Sequence, residues 1–397
     1  MQKKPLGVYV HFPWCLKKCP YCDFLSVAGE RATLPHAAYA SAVLLELERR
    51  AAEIDRAGYQ LESVFFGGGT PSLWEPAELG RVLQGVLAAF DAARADVEIT
   101  VECNPTSFDA ERARALLAQG VNRVSIGVQG LDAQRLEFLG RLHDVAGGLA
   151  AVRTALSAQV PRVSADFIFG VAGQSPEQAR DEARTLAELG TTHLSAYALT
   201  IEPQTQFGAL AKKGKLPLLD EALVADSFLS VEETLTGAGF EHYEVSNYAR
   251  AGHTSRHNLG YWRGRDYLGL GTGAWGTIRL LGARLRYRNT PSHERYLDAA
   301  ERWSNLPLDR EGPLIGTVEP LSPETAVAER IMLGLRLSEG VDLEQVEAEC
   351  GAPVLTPARS RAIEKLMAGR RLVRHGSTIS IPKDKWLFAD GIVAELM

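Results

Sequence analysis

The 397-residue sequence predicts an α/β fold: a parallel sheet with helical crossovers, curled or open, followed by a small winged-helix-like appendage. Three observations carry this. Six β-type runs alternate with helical stretches through the first half. Those runs share one apolar face and one polar face. Beyond residue 324 the order changes to helices followed by a hairpin.

The first run is GVYVHF (7–12). SVFFGGG (63–69), EITVEC (98–103), RVSIGVQ (123–129), RVSADFIFG (162–170) and HLSAYALTI (193–201) follow. Between the first two, AAYASAVLLELERRAAEI (37–54) is rich in Ala, Leu, Glu and Arg, all good helix formers. EPAELGRVLQGVLAAF (75–90) opens on an acidic, Pro-containing first turn, a favoured helix start. DAERARALLAQG (109–120) ends on Gly120, a C-cap signal. Ser175-Pro-Glu-Gln178 reads as a capping box with Pro at the first helical position, opening a helix that runs to Gly190.

Side chains alternate across a strand. One face reads Val8, Val10, Phe12; Val101, Cys103; Val124, Ile126, Val128; Val163, Ala165, Phe167, and suits packing helices. The other reads Tyr9, His11; Thr100, Glu102; Ser125, Gly127, Gln129; Ser164, Asp166; Ser195, Tyr197. A packed barrel lumen is mostly branched aliphatics, so a polar one predicts a cavity for a polar ligand. Glu102, Gln129 and Asp166 fall at or near the C-terminal ends of their strands, where such folds place active sites. The alternative is a set of buried polar residues that satisfy one another.

Residues 220–239 read as a further helix, and 243–276, rich in Gly and aromatics, as irregular. The proline-spaced stretch 305–323 reads as linker. A helix is expected at 324–338, shorter ones near 342–350 and 356–369, and a hairpin around His375-Gly376-Ser377. The chain divides into a core at 1–205, a completing α+β region at 206–304, the linker, and the appendage at 324–397.

The hydrophobic fraction of 46% and charged fraction of 23% are ordinary for a soluble globular protein. A net charge of -6 argues against non-specific nucleic-acid binding. No apolar run reaches membrane-spanning length, and the basic start lacks a signal-peptide cleavage site. Five cysteines form no disulfide framework, which points to a reducing, cytoplasmic location.

Cys15, Cys19 and Cys22 stand in C-x3-C-x2-C spacing directly after the first strand. Zinc usually takes four protein ligands, and no second pair follows. Three soft thiolates suit three irons of a 4Fe–4S cluster, leaving the fourth iron open to a ligand that is not protein. S-adenosylmethionine (SAM) can fill that position through its amino and carboxylate groups. An electron from the cluster would then cleave its C–S bond and release a 5′-deoxyadenosyl radical.

Together with GGGTP (67–71) after the second strand, this pattern resembles the radical SAM superfamily. YVHFPWC (9–15), GGGTPS (67–72), ECNP (102–105), SIGVQ (125–129) and DFIFG (166–170) resemble one branch of it. That branch contains oxygen-independent coproporphyrinogen III oxidase and the HemW-type haem chaperones. The resemblance implies a partial (β/α)6 TIM-like barrel, with Cys15, Cys19 and Cys22 ligating the cluster. It implies a SAM site of Tyr9, Tyr21, Gly67, Gly68, Gly69, Thr70, Glu102, Gln129, Arg141 and Asp166. The chemistry agrees: glycines let backbone approach closely, carboxylates suit ribose hydroxyls, and Arg suits a carboxylate. A structural ion pair is the plainer reading of Glu102 and Arg141. Cys103 faces the apolar side and reads as core.

Three features separate oxidase from chaperone. The oxidase type carries a cysteine where this sequence has Phe24. It has a longer segment ahead of the cluster, whereas 14 residues precede Cys15 here. HNLGYW (257–262) matches the HNxxYW motif of the haem chaperones. His257 is thus the haem-ligand candidate, with Tyr261 and Trp262 to pack on the porphyrin. His11, His143, His253 and Cys350 are weaker alternatives. The expected function is a haem chaperone holding a 4Fe–4S cluster, SAM and haem as cargo. Its partners would be haem-accepting proteins, membrane-bound respiratory ones among them, and an electron donor, so peripheral membrane contact stays open. The runner-up is an oxygen-independent coproporphyrinogen III dehydrogenase, and a third reading is a radical SAM enzyme for another substrate. Gly271, Gly273 and Gly276 satisfy G-x-G-x-x-G, but no βαβ context surrounds them, and a glycine-rich loop near the lumen is expected.

Overall fold

The computed structural model describes residues 3–280, 283–300 and 311–397. Six parallel strands form its centre: β1 (Lys4–Phe12), β2 (Tyr59–Gly68), β3 (Glu98–Cys103), β4 (Arg123–Gln129), β5 (Arg162–Phe169) and β6 (His193–Ala198). The helices between them are α1 (His36–Glu53), α2 (Pro76–Ala89), α3 (Ala110–Gln119), α4 (Ala133–Phe138), α5 (Val145–Ser157) and α6 (Pro176–Glu188). Further along come α7 (Gln206–Lys212), α8 (Glu221–Gly237) and α9 (Arg256–Trp262). All six expected strands and the crossover helices are therefore present. The local signals act as read: Gly120 caps α3 at φ +104, and Ser175 and Gln178 close the capping box of α6.

The sheet is larger than the sequence suggested. Six more strands join it: β7 (Glu241–Glu244), β8 (Asn247–Ala249), β9 (Asp266–Leu270), β10 (Trp275–Leu280), β11 (Ala283–Asn289) and β12 (Ile315–Pro320). The order is β12-β11-β10-β9-β1-β2-β3-β4-β5-β6-β8-β7, with β12 and β7 at opposite ends. β9 runs parallel to β1, making seven parallel strands, and the remaining added strands pair antiparallel.

The expectation that 243–276 is irregular is corrected. It holds β8, α9 and β9, ends in the first residues of β10, and begins inside β7. Of the stretch expected as linker, residues 305–310 lie outside the described residues, and Ile315–Pro320 is the sheet-edge strand β12.

The faces fall as the alternation predicted. Val8, Val10, Phe12, Val101, Val124, Ile126, Val163 and Phe167 are buried in one core with side chains of α1, α2, α3, α5, α6 and α8. The register lines up the polar face across the strands: Tyr9 beside Phe65, Glu102 beside Ser125, Gly127 beside Asp166, and Asp166 beside Ser195. A bulge between Gly127 and Gln129 breaks the β4–β5 register, with Gln129 at φ +66, a rare conformation for a non-glycine residue.

One buried network locks the extension to the central strands. Glu46 of α1 accepts from Arg50 Nε at 2.6 Å, Asn289 Nδ2 at 2.8 Å, Tyr296 OH at 2.7 Å and Gly271 N–H at 2.8 Å. Arg50 also donates to Asn289 and lies over the Tyr287 ring.

The C-terminal part carries helices Pro323–Gly334, Leu343–Cys350 and Pro357–Ala368. A three-stranded sheet joins them, in the order Val341–Asp342, Thr378–Ser380, Val373–His375. The hairpin turns at Gly376 and Ser377, close to where it was expected. Among the described residues, no helix is long and apolar enough to cross a membrane.

Candidate cofactor site and adjoining cavity

The three spaced cysteines sit on the loop leaving β1. A two-stranded parallel pairing of Trp14–Cys15 with Val27–Ala28 closes its base. Val27 N–H donates to Pro13 O at 2.8 Å and Gly29 N–H to Cys15 O at 2.9 Å. The thiols are free and half-buried, and burial pushes those of Cys15 and Cys22 up, the latter to about 11. Two donors point at thiol sulfurs: Thr70 Oγ1 lies 3.4 Å from Cys15 Sγ, and Arg141 Nη1 lies 3.4 Å from Cys19 Sγ. Among the described residues no three acidic, thiol or imidazole groups gather at single-ion spacing.

The glycine run after β2 is packed under this loop. Gly69 N–H donates to Phe12 O at 2.7 Å, and Thr70 N–H to Trp14 O at 2.8 Å. A Cβ on Gly69 would stand 2.7 Å from Pro13 C and Trp14 O, which are backbone and cannot swing away. Gly68 adopts φ +108, and a Cβ there would meet the His11 ring at 2.4 Å. A Cβ on Gly67 would meet Phe65 and Tyr9 at 2.9 Å and Glu102 at 3.1 Å.

Glu102 accepts the Gly68 N–H at 3.1 Å. Burial, then the nearby Asp166 carboxylate, pushes its carboxyl up to about 7. Asp166 accepts from Ser125 at 2.8 Å and Ser164 at 3.1 Å, yet burial still raises it. Arg141 donates to Gly127 O at 3.0 Å, and its Nε is buried without a partner. The ion pair weighed for Glu102 and Arg141 does not form; each engages backbone or thiol instead. Tyr21 lies beside Cys19 and Arg141 and meets the Phe207 ring at 6.4 Å. Tyr9 donates to His11 Nδ1 at 3.0 Å, and His11 Nε2 donates to Leu25 O at 2.8 Å, inside the cysteine loop. Burial lowers His11 to about 4, so the ring stays neutral while it ties strand to loop. Cys103 is buried on the helix side, as expected.

A cavity of about 480 Å³ opens beside these groups. Tyr9, Gly68 and Glu102 line it; Phe24, Phe65, Tyr261, Tyr267 and Trp275 supply aromatic walls. Phe24 is 60% exposed at its rim. His257 lies in the cavity wall, 3% exposed, its ring 4.8 Å from that of Phe65. His257 Nδ1 pairs with Ser63 Oγ at 2.9 Å and Nε2 with Tyr261 OH at 3.0 Å. Burial lowers this imidazole to about 3.

The placement of α9 explains that orientation. Ser255 caps it, and Glu98 accepts the His257 N–H at 3.2 Å. Glu98 is itself paired, fully buried, with Arg123, which donates to His253 O and Thr254 O at 2.7 and 3.0 Å.

His257 and Tyr261 are one helical turn apart and share the cavity. Trp262 does not: it lines a second cavity of about 630 Å³ with the C-terminal helices, and the Arg336 guanidinium lies 5.6 Å over its ring. Cys350 lines that second cavity as well. His143 bonds Val128 O at 3.0 Å, and Arg123 holds His253 by its backbone, so both serve the scaffold. Gly271 and Gly273 turn the chain between β9 and β10 at φ +94 and +66, with Thr272 buried between them; no helix opens there, and no dinucleotide site forms. The sequence reading missed Phe65, Tyr267, Trp275 and Arg288 as cavity residues. For Arg288 a signal existed: Arg284, Arg286 and Arg288 alternate along one strand.

Residues 9–186 match the family model of the radical SAM superfamily, and residues 321–388 match that of the HemN C-terminal domain. Fold and site thus define a radical SAM protein. Curated relatives narrow this. The heme chaperone HemW of Escherichia coli (strain K12) is 39% identical over 73% of this chain and 75% of its own length. The heme chaperone HemW of Mycobacterium tuberculosis is 33% identical over the whole chain and 96% of its own length. The mitochondrial radical S-adenosyl methionine domain-containing protein 1 of Danio rerio is 38% identical over 92% of this chain and 81% of its own length. The chain belongs to the HemW heme chaperone family. The Escherichia coli coproporphyrinogen III oxidase structure superposes with a TM-score of 0.79 at 20% identity, over 99% of this chain and 90% of that one, and shares the fold.

Proposed function

We propose that this protein binds haem in the cavity beside its cofactor site and passes it to haem-accepting proteins. A 4Fe–4S cluster and SAM would serve haem handling rather than porphyrinogen decarboxylation. One observation carries the reading: the aromatic-walled cavity holds His257 and Tyr261, adjoins Tyr9, Gly68 and Glu102, and has Phe24 at its rim.

The residues present fit both cofactors. Cys15, Cys19 and Cys22 would hold the cluster, with Thr70 and Arg141 donating to two of the sulfurs and so tuning their charge. Close packing against β1 and the thiol loop demands Gly67, Gly68 and Gly69, whose backbone would take the methionine end of SAM, and the unpartnered Arg141 Nε supplies a donor for its carboxylate. Glu102 and Asp166 would take ribose hydroxyls, with Tyr21 and Gln129 flanking. When bound, the cluster supplies single electrons next to SAM.

His257 supports the cargo reading chemically. Its ring is held neutral by burial, the form that binds a metal, and Ser63 fixes Nδ1 while Nε2 touches only Tyr261. Coordination through Nε2 exchanges the Tyr261 hydrogen bond for iron. Trp262, on the second cavity, has no part in this contact.

The test is anaerobic reconstitution of the cluster, a haem titration followed by its Soret band, and an assay of coproporphyrinogen turnover with SAM and reductant. Haem binding without turnover is the expected result. Robust protoporphyrinogen formation would overturn the chaperone reading.

A further inference from the structure

Strand β11 carries three arginines on one face: Arg284, Arg286 and Arg288. Two of them have carboxylate partners. Arg284 Nε lies 3.3 Å from Asp266, and its Nη2 donates to Gly264 O. Arg286 is paired with Glu319 and Glu329. Arg288 has no carboxylate within ion-pair distance among the described residues, and its Nε is buried without a hydrogen-bond partner. Its guanidinium stands 5.4 Å over the Trp275 ring and lines the 480 Å³ cavity. That cavity holds two carboxylates, Asp23 and Glu102. Glu102 is engaged with the Gly68 N–H, and neither reaches Arg288.

A guanidinium half-withdrawn from water, with no protein counter-charge and donors left open, is a site for an anion. Its planar fork fits a carboxylate with two parallel hydrogen bonds. The surrounding rings, Tyr9, Phe65, Tyr267 and Trp275, favour a flat apolar body rather than an inorganic anion or a nucleotide phosphate.

We propose that Arg288 is the carboxylate anchor of this cavity, selecting a planar ligand that carries a free acidic side chain. This rests on the haem reading above, within which the anchored group is a haem propionate. The two arginines beside it brace strands, whereas Arg288 recognises cargo. It acts at the edge of the ligand away from the iron, so it sets affinity and orientation and leaves the iron ligand unchanged.

The experiment compares haemin with haemin dimethyl ester, which keeps the ring and the iron but loses both acids. Wild-type protein, Arg288→Gln and Arg288→Lys are titrated with each, after cluster reconstitution whose visible absorbance reports correct folding. Wild type should bind the free acid about tenfold or more tighter than the ester, the scale of a charge-assisted bond to a carboxylate. Arg288→Gln should bring the free acid down to the level of the ester, with the Soret position unchanged. Arg288→Lys should keep part of the preference, as a point charge lacks the fork. If wild type prefers the free acid and Arg288→Gln does so equally, Arg288 is not the anchor and the haem reading stands. If wild type binds both forms alike, the anchor is again refuted. If wild type binds neither, the haem reading falls with it.

Discussion

Glu102 offers a quantitative check on the site. Its carboxyl is held at about 7 against an ordinary 4.5, first by burial and then by Asp166. Between those two values the folded state binds the proton and the unfolded state does not. Stability from this group is therefore fully present below about 4.5 and is lost as pH rises toward 7. The interval of 2.5 units corresponds to about 3 kcal/mol at 1.36 kcal/mol per unit. Glu102 lines a cavity and keeps some contact with water, so solvent screening lowers the expected effect to about 1–2 kcal/mol. Glu102→Gln keeps the shape and the acceptor for Gly68 N–H but carries no charge. Urea unfolding of cluster-free protein should show the variant gaining on wild type by about 1–2 kcal/mol between pH 5 and 8. Working with the difference removes other groups, including His11 and His257, whose lowered values make them destabilising as pH falls below about 6.5. A difference that stays flat across this range would refute the claim that Glu102 is buried beside a second carboxylate.

Four further outcomes are expected. Cys19→Ala should lose the visible absorbance and iron of the reconstituted protein, and retention of both would contradict the ligand assignment. Gly69→Ala should destabilise the fold by about 2 kcal/mol or more and impair cluster loading, because its Cβ meets backbone on three sides; unchanged chemical denaturation would disprove that packing. Glu46→Ala should cost about 3–5 kcal/mol in denaturant unfolding by stranding buried Arg50, and Glu46→Gln less; equal small losses would show that the network is not the lock of the extension. His257→Ala should shift the Soret band and weaken haem binding about tenfold or more; an unchanged spectrum and affinity would exclude it as the iron ligand.

The central strands were legible because alternation and crossover helices are strong local signals. So were the three thiols and the polar residues at strand ends. β9 was hidden for a physical reason. Asp266-Tyr-Leu-Gly-Leu270 offers two aliphatics, and Gly lowers strand propensity. The structure needs that glycine: a Cβ on Gly269 would stand 1.8 Å from Trp275 O, where β10 pairs with β9. Gly276 is likewise required beneath the Tyr287 ring, where a Cβ would fall 2.2 Å away. Residues that close packing demands thus looked like loop. The separation of Trp262 from His257 and Tyr261 was readable from helical spacing, since five positions along a helix turn a side chain away from the first. What lies opposite each face was not readable, because it depends on the C-terminal helices.

The pairing of β1 on both edges has a consequence for synthesis. Cys15, Cys19 and Cys22 leave the ribosome about 250 residues ahead of β9, which flanks their strand. At about 5–20 residues per second, that is a delay of roughly 12–50 s. During it the thiol loop has β2 on one side and an open strand edge on the other. His11, which ties the loop to β1, waits as well, because the Tyr39 hydroxyl that anchors its carbonyl also receives the Thr272 N–H. A nascent chain therefore exposes three thiols beside a strand edge that stays unpaired until β9 and Thr272 have been made.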